Sequence, residues 1–269
     1  MKKTIVIAVQ NNKGGVGKTT CVLNLSHALS NSGIQVLAID LDSQANLTKL
    51  MMPDLRQDAE TMYEYLQGDI LNIKKIIFET LYKGAHLIPN ILETSSLEPK
   101  MYQDLPRNYY FVHKLIHQDL KSAGNPYNII ILDTPPNLGF WTISALYAAD
   151  FVIVPVEISS QMAHEGLKNS LVLIEAIRKE VNPNLRFLRL LINKLDRRTQ
   201  ISRISISELK KMFDKTEVFE TTIPTNTAIQ QAEMDRKSII RFNPSVRGSV
   251  AYRNLADELL GIIKSTTPT

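Results

Sequence analysis

The sequence predicts an α/β fold with a mostly parallel, doubly wound sheet and helices on both faces. Apolar runs of strand length alternate along the chain with segments of helical periodicity, a pattern typical of parallel sheets. The first run also leads into a glycine-rich segment that opens a helix. With 269 residues and 44% hydrophobic content, the chain is expected to form a single domain over residues 1–269.

A phosphate-binding loop is predicted between the first strand, residues 4–9, and a helix over residues 21–29. Its glycines let the backbone approach a ligand closely, and the free N–H groups of a helix N-terminus favour an anion. Lys18 is expected to reach the β and γ phosphates, and Thr19 to place its hydroxyl on Mg²⁺. The predicted nucleotide-binding residues here are Lys13, Gly14, Gly15, Val16, Gly17, Lys18, Thr19 and Thr20. The fold is therefore predicted to be that of a P-loop NTPase.

This loop departs from the ordinary P-loop pattern at its start. Asn12 stands where that pattern has its first glycine, and a second lysine, Lys13, follows directly. The variant resembles the deviant Walker A motif of the ParA/MinD family of P-loop ATPases.

Two further strands end in carboxylates. The second strand, residues 35–41, runs into Asp40 and Asp42, which alternation places on the same side. A later strand, residues 127–133, ends at Asp133 as a Walker B element does, and a phosphate-bound Mg²⁺ usually takes few protein carboxylates. An aspartate after a strand also commonly caps a turn, so each position taken alone is open to that interpretation.

Both segments resemble the switch I and switch II regions of ParA-type proteins. The resemblance implies that Asp42 orients the attacking water, that Asp40 supports the outer shell of the metal, and that Lys13 contacts the nucleotide of a second subunit. The implied cofactors are ATP and Mg²⁺, and the implied assembly is a homodimer formed with ATP. The catalytic residues would be Lys13, Lys18 and Asp42, and the metal residues Thr19, Asp40 and Asp133.

The remaining elements continue the alternation. Helices are predicted over residues 61–66, 108–120, 164–177, 199–213 and 249–263, with another beginning at Phe140, and strands over 85–88, 151–156, 185–192 and near 218–223. Residues 51–59 and 92–107 are expected to be irregular connections.

Two positions after strands are candidates for enclosing the base. Asn193 and Pro224 resemble family positions that surround adenine, and a carboxamide can both donate to and accept from a purine edge. From spacing alone, Asn193 could equally cap a turn.

Positive charge is concentrated in the last third of the chain. Lys plus Arg number 15 against 9 acidic residues over 181–269, but 16 against 18 over 1–180. A basic face suits nonspecific DNA binding, and ParA-type ATPases are known to bind DNA in this way as ATP-bound dimers. The expected DNA-binding residues are Arg197, Arg198, Arg203, Arg236 and Arg247. Chromosomal relatives often have arginines just after the isoleucine-proline pair that ends at Pro224 in this chain. Here Thr225 and Asn226 follow Pro224, so the sequence departs from the family at this part of the DNA surface.

Composition narrows the class of protein. The lone cysteine, Cys21, excludes an intrachain disulfide and an iron–sulfur cluster carried on this chain alone. No apolar run reaches the length needed to cross a bilayer, and the first strand occupies the place of a signal sequence. We therefore expect a cytoplasmic, nucleoid-associated protein that is not bound to a membrane.

The predicted function is that of an ATPase in DNA partition or positioning, such as plasmid segregation. It would dimerise on ATP·Mg²⁺, bind DNA nonspecifically and release it when a ParB-like or adaptor protein stimulates hydrolysis. Two alternatives remain open: a MinD-like membrane-associated ATPase, or an enzyme of the same fold that uses ATP on a small molecule. The first would need a basic amphipathic C-terminal helix; the second would need polar groups converging on a substrate pocket.

Overall fold

The computed structural model describes residues 4–157, 162–196 and 199–266, and contains a seven-stranded sheet. The strands are β1 (Ile5–Val9), β2 (Val36–Asp40), β3 (Phe78–Glu79), β4 (Ala85–Ile88), β5 (Ile129–Asp133), β6 (Phe151–Glu157) and β7 (Arg186–Asn193). Their order is β3-β4-β2-β5-β1-β6-β7, and every pair is parallel except β3 with β4. The α/β class predicted from the sequence is confirmed.

Helices cover both faces of the sheet. They are α1 (Lys18–Asn31), α2 (Asn46–Met51), α3 (Met62–Gln67), α4 (Glu98–Met101), α5 (Phe111–Lys114), α6 (Phe140–Ala148), α7 (Met162–Glu180), α8 (Gln200–Met212), α9 (Thr227–Met234), α10 (Ile239–Phe242) and α11 (Arg247–Thr266). One buried cluster joins one face to α1, α2, α10 and α11, and a second joins the other face to α3, α5, α6, α7 and α8. Because β1, β2 and β5 are covered on both sides, their sequences are nearly continuous apolar runs.

The sheet brings the predicted site residues to one edge. The register pairs Asp133 with Val9 on one side and with Asp40 on the other, so β1, β2 and β5 end at the same level. Ligands of open α/β sheets bind beyond the carboxyl ends of the strands. The loop after β1 and both aspartates therefore share the expected location.

The strand predicted near residues 218–223 is wrong. Only isolated bridges form there, between Leu190 and Val218 and between Leu195 and Pro224. The carboxylate of Glu258 on α11 accepts the backbone N–H groups of residues 220 and 221, at 2.9 Å each. These amides are therefore unavailable to the edge of β7, and no continuous ladder forms.

The helix predicted over residues 108–120 is a composite. A 3₁₀ turn at Arg107–Tyr110 leads into α5 and then into a π-helical turn at Leu115–Leu120. Short 3₁₀ segments also occur at Ile73–Ile76, Leu92–Leu97 and Lys215–Glu217.

The closing helix α11 turns its apolar stripe toward the protein. Leu255, Leu259 and Ile263 are buried in the cluster that contains α1. Among the described residues, we find no helix of the length and apolarity required to span a membrane.

Candidate functional site: a phosphate-binding loop above three strand ends

The loop between β1 and α1 has the backbone of an anion-binding turn. Gly15 and Gly17 have φ of 77° and 88°, a region that glycine enters without steric cost. A Cβ atom on Gly17 would lie 2.2 Å from the side-chain nitrogen of Asn193, so close packing also requires glycine there. Helix α1 begins at Lys18 with no side-chain cap. Its first N–H groups are thus free for a ligand.

Lys18 is buried at the base of this loop, with 7% of its surface exposed. Its Nζ atom donates to the carbonyl oxygen of Lys13 at 3.2 Å. Burial lowers the pKa of Lys18, while the nearby carboxylates of Asp133 and Asp42 oppose that shift. The ammonium group is thereby held beneath the loop with acidic neighbours.

Asp40 and Asp133 are adjacent buried carboxylates with different surroundings. Asp40 accepts hydrogen bonds from the backbone N–H and hydroxyl of Thr48, at 2.9 and 2.8 Å, and from the N–H of Asp42 at 3.1 Å. Neither oxygen of Asp133 has a hydrogen-bond partner of ordinary geometry, although Thr19 and Lys18 lie near enough to favour its ionised form. The carboxylate of Asp40 is therefore occupied by hydrogen bonds within the protein, whereas the oxygens of Asp133 can still accept a ligand.

Burial raises the pKa of both carboxyl groups. The pKa of Asp40 rises to about 7, and that of Asp133 rises well above its ordinary value because Asp40 adds a second negative charge beside it. A cation at this position would relieve the unfavourable charge.

Asp42 stands at the mouth of the pocket, half-buried, and its carboxylate accepts the N–H of Gln44 at 3.0 Å. The pocket has a volume of about 580 Å³. Predicted residues that line it are Gly14, Gly15, Gly17, Lys18, Thr19, Thr20, Asp42, Asn193, Pro224 and Arg236. The structure thus brings together predicted residues from the first and last thirds of the chain.

Asn193 occupies the floor of the loop. Its Nδ2 atom donates to the carbonyl oxygen of Val16 at 2.7 Å, and its Oδ1 atom accepts the N–H of Lys194 at 2.9 Å. One amide hydrogen remains for a ligand, so the predicted adenine contact stays a prediction.

Glu233 is a pocket residue that the sequence analysis did not identify. From α9, its carboxylate accepts a short hydrogen bond from the hydroxyl of Thr20. The two residues are 213 positions apart, and no local pattern links them.

Lys13 lies half-buried at the start of the loop. Its N–H donates to Asn11 Oδ1 at 2.9 Å, and a Cβ atom on Gly166 of α7 would lie 3.2 Å from the Cβ of Lys13. The small residue on α7 therefore makes room for the lysine.

The predicted DNA-binding residues lie in different places. Arg203, Arg236 and Arg247 are exposed, and each lines a different cavity. Arg236 lines the pocket beside the loop, and the groove with Arg247 shares Pro224 with that pocket. Arg197 and Arg198 lie outside the described residues.

Comparisons with known proteins agree with this geometry. A family described as an AAA domain matches residues 4–187. The sporulation initiation inhibitor protein Soj of Bacillus subtilis is 33% identical over 94% of this chain and 97% of its own length. The chromosome partitioning protein ParA of Caulobacter vibrioides is 32% identical over 95% and 93%. A solved structure of cobyrinic acid a,c-diamide synthase from Mycobacterium smegmatis, with an ATP analog and magnesium bound, superposes with a TM-score of 0.81 at 29% identity over 98% of both chains.

Proposed function

The chain belongs to the ParA/Soj family of partition ATPases, and we propose that it is an ATP-driven DNA partition switch that works through the pocket described above. In this proposal it binds ATP with Mg²⁺, dimerises, and holds DNA nonspecifically until hydrolysis releases it. A ParB-like or adaptor protein stimulates that hydrolysis, and a plasmid is one cargo that such a switch would carry.

The observation that carries the proposal is the unsatisfied carboxylate of Asp133 beneath the loop. Neither buried oxygen of Asp133 accepts a hydrogen bond of ordinary geometry, and a bound cation would offset the cost of burying this carboxylate. Thr19, the second residue of α1, would hold Mg²⁺ together with Asp133. Among the described residues, no group of three or more His, Cys, Asp or Glu could form a metal cage. This fits Mg²⁺, which keeps several waters and takes few protein ligands.

The loop and Lys18 would bind the phosphates. The glycine-rich backbone would turn its N–H groups toward the β-phosphate, and Lys18 would add a positive charge near the β and γ phosphates. Bound Mg²⁺ would neutralise charge on the phosphate oxygens. Asp40, through its bonds to Thr48 and the N–H of Asp42, would orient the segment after β2 rather than bind the metal directly.

Asp42 would position the attacking water. Its carboxylate lies at the pocket mouth on the segment that Asp40 anchors, where a water in line with the γ-phosphate would enter. Phosphoryl transfer is catalysed chiefly by such positioning and by cations near the transferred group. Lys13 would supply one of those cations to the nucleotide of the partner subunit, which couples hydrolysis to dimerisation.

The base would lie between Asn193 and Pro224, both of which line the pocket. The DNA surface would include Arg236 and Arg247, together with Arg203 and the neighbouring Arg197 and Arg198. Because Arg236 also lines the nucleotide pocket, a bound nucleotide would directly affect one residue of this DNA surface.

Two contacts argue against the alternative functions. The apolar stripe of α11 is already buried against the core, so it is not available to lie in a membrane interface. The groove beside the nucleotide pocket contains Glu258, but this carboxylate is occupied by the N–H groups of residues 220 and 221 and by Arg189 at 2.8 Å. It is therefore poorly suited to recognise a small-molecule substrate.

The proposal is tested with Asp42→Ala. We expect the variant to retain ATP binding, to lose hydrolysis by about 100-fold or more, and to remain a dimer in ATP and Mg²⁺. Light scattering would then report about twice the 30.4 kDa monomer mass with ATP, and the monomer mass with ADP.

The matched control is Asp54→Ala, which removes an exposed carboxylate outside the pocket and should behave as wild type. Hydrolysis at the wild-type rate would remove Asp42 from the mechanism, and an ATP-bound variant that stays monomeric would refute the dimer.

A further inference from the structure

Lys194 makes a contact with the loop that the family assignment does not include. It follows β7, and its Nζ atom donates to the carbonyl oxygen of Gly15 at 2.6 Å. The preceding residue, Asn193, holds the next carbonyl, that of Val16, at 2.7 Å. Two neighbouring side chains therefore hold two consecutive carbonyl groups of the phosphate-binding loop.

Holding those carbonyls fixes where the loop amides point. In a planar trans peptide, the C=O of one residue and the N–H of the next point in opposite directions. When the Gly15 carbonyl is held against Lys194, the N–H of Val16 points the other way; the Val16 carbonyl likewise directs the N–H of Gly17. Successive N–H groups turned to one side form an anion-binding concavity.

Lys194 itself is held firmly by its surroundings. Its φ of 52° is the left-handed conformation, which is sterically unfavourable for a residue with a Cβ atom. Its N–H donates to Asn193, and its carbonyl oxygen accepts the hydroxyl of Thr225 at 2.7 Å. A strained conformation fixed by neighbours on both sides is typical of a functional position. Glu157 of β6, 3.7 Å from Nζ, orients the ammonium group further.

We propose that Lys194 is a positioning residue that holds the loop in its phosphate-binding conformation through the Gly15 carbonyl. It thereby increases affinity for the diphosphate part of the nucleotide without touching the transferred phosphoryl group. The inference rests on the proposed function only in that the loop binds phosphates; it requires neither the dimer nor DNA. ATP and ADP share this diphosphate, so both should depend on Lys194 equally.

Lys194 could also strengthen nucleotide binding only through its positive charge, without holding the loop. Lys49 provides the comparison, because it lines the same pocket and its Nζ atom donates to Gln44, outside the phosphate-binding loop, at 2.7 Å. An exposed charge adds little to the free energy of binding because solvent screens its attraction, whereas a hydrogen bond from a charged donor adds more. The two lysines therefore separate charge from positioning.

The experiment measures ATP and ADP dissociation constants by calorimetry for wild type, Lys194→Met, Lys194→Arg, Lys194→Gly and Lys49→Met. We expect Lys194→Met to raise both constants by about tenfold or more, Lys194→Arg to restore most of the affinity, and Lys49→Met to have a clearly smaller effect. The turnover number at saturating ATP should stay within about twofold, since only binding is affected.

Lys194→Gly separates positioning from stability. Glycine accepts the left-handed backbone, so this variant should unfold at the wild-type temperature or above while binding ADP as weakly as Lys194→Met. Wild-type affinity for ADP in Lys194→Met or Lys194→Gly, or an equal loss of affinity in Lys49→Met, would overturn the proposal. If wild type itself bound no nucleotide, the loop assignment would fail instead, and the two failures are thus distinct.

Discussion

Two neighbouring carboxylates, Asp40 and Asp133, illustrate how much a residue's role depends on its hydrogen bonds. They sit side by side in the sheet and are equally inaccessible to solvent, yet Asp40 accepts three hydrogen bonds and Asp133 accepts none of ordinary geometry. The first arrangement stabilises the protein, and the second suits a bound cation. Substitution of Asp40 should therefore lower stability, whereas substitution of Asp133 should impair binding of the cation.

We expect Asp40→Asn to lower the free energy of unfolding by about 1–3 kcal/mol, because an amide NH₂ would then face an N–H donor. Asp133→Asn should leave the stability of the nucleotide-free protein unchanged within about 1 kcal/mol, since neither carboxylate oxygen accepts a hydrogen bond of ordinary geometry, but should abolish the Mg²⁺-dependent part of ATP affinity. Urea unfolding and ATP titrations with and without Mg²⁺ measure both effects. Full Mg²⁺ dependence in Asp133→Asn would exclude this carboxylate from the metal site.

Residues whose chemistry is local could be predicted from the sequence, whereas residues defined by distant contacts could not. Lys18, Thr19 and Asp133 follow strands in recognisable motifs, so their common location could be predicted. Glu233 meets Thr20 only after a chain separation of 213 residues, and nothing near it in the sequence marks the contact. Lys194 directly follows Asn193, a predicted base contact, but its own contact with Gly15 spans 179 residues and could not be predicted from the motif.

At the scale of elements, α1 is fastened to the C-terminal part of the chain by a polar cluster. His27 of α1 stacks on Tyr82 with ring centroids 4.3 Å apart, and its Nδ1 atom lies 2.6 Å from the hydroxyl oxygen of Ser238, which caps α10. Burial, and to a smaller extent Arg241, lowers the pKa of His27 from 6.5 to about 4. The cluster therefore favours a neutral ring.

This shift predicts a pH dependence of stability. Between pH 4 and 6.5 the unfolded chain binds a proton that the folded protein does not, so the stabilisation is complete above pH 6.5 and is lost as the pH falls toward 4. We expect wild type to lose about 1–2 kcal/mol more than His27→Gln over this range, after allowance for solvent screening of the half-exposed ring. Urea unfolding at several pH values measures the difference, and parallel curves for the two proteins would contradict it.

Element boundaries were predictable where periodicity is strong and not where a single contact decides. Most of the longer helices and central strands lie within a few residues of their predicted positions. The short helices α9 and α10 depend on caps from Asn226 and Ser238, a signal that was present in the sequence but was not used. The strand predicted near residues 218–223 is interrupted because Glu258 on α11 accepts the amides of residues 220 and 221, and that contact has no local signature.

For the molecule as a whole, the excess of positive charge over residues 181–269 is a property of the sequence, but its distribution is a property of the fold. Arg203, Arg236 and Arg247 line three different cavities, which adjoin one another through shared lining residues. Arg236 lines the pocket beside the phosphate-binding loop, so a nucleotide bound there would lie next to this positive charge. We therefore expect DNA affinity to depend on the nucleotide.

The most direct test of the partition switch is binding to a random-sequence DNA duplex, measured by fluorescence anisotropy with ATP, ADP or no nucleotide across a series of salt concentrations. With ATP and Mg²⁺ we expect binding whose logarithmic affinity falls linearly with the logarithm of salt concentration, because phosphate contacts release counterions. Arg236→Glu with Arg247→Glu should weaken it at every salt concentration, while the matched variant Lys74→Glu, on an exposed 3₁₀ turn, should not. DNA binding that is equal in ATP and ADP, or absent in ATP while ATP affinity is intact, would contradict the account.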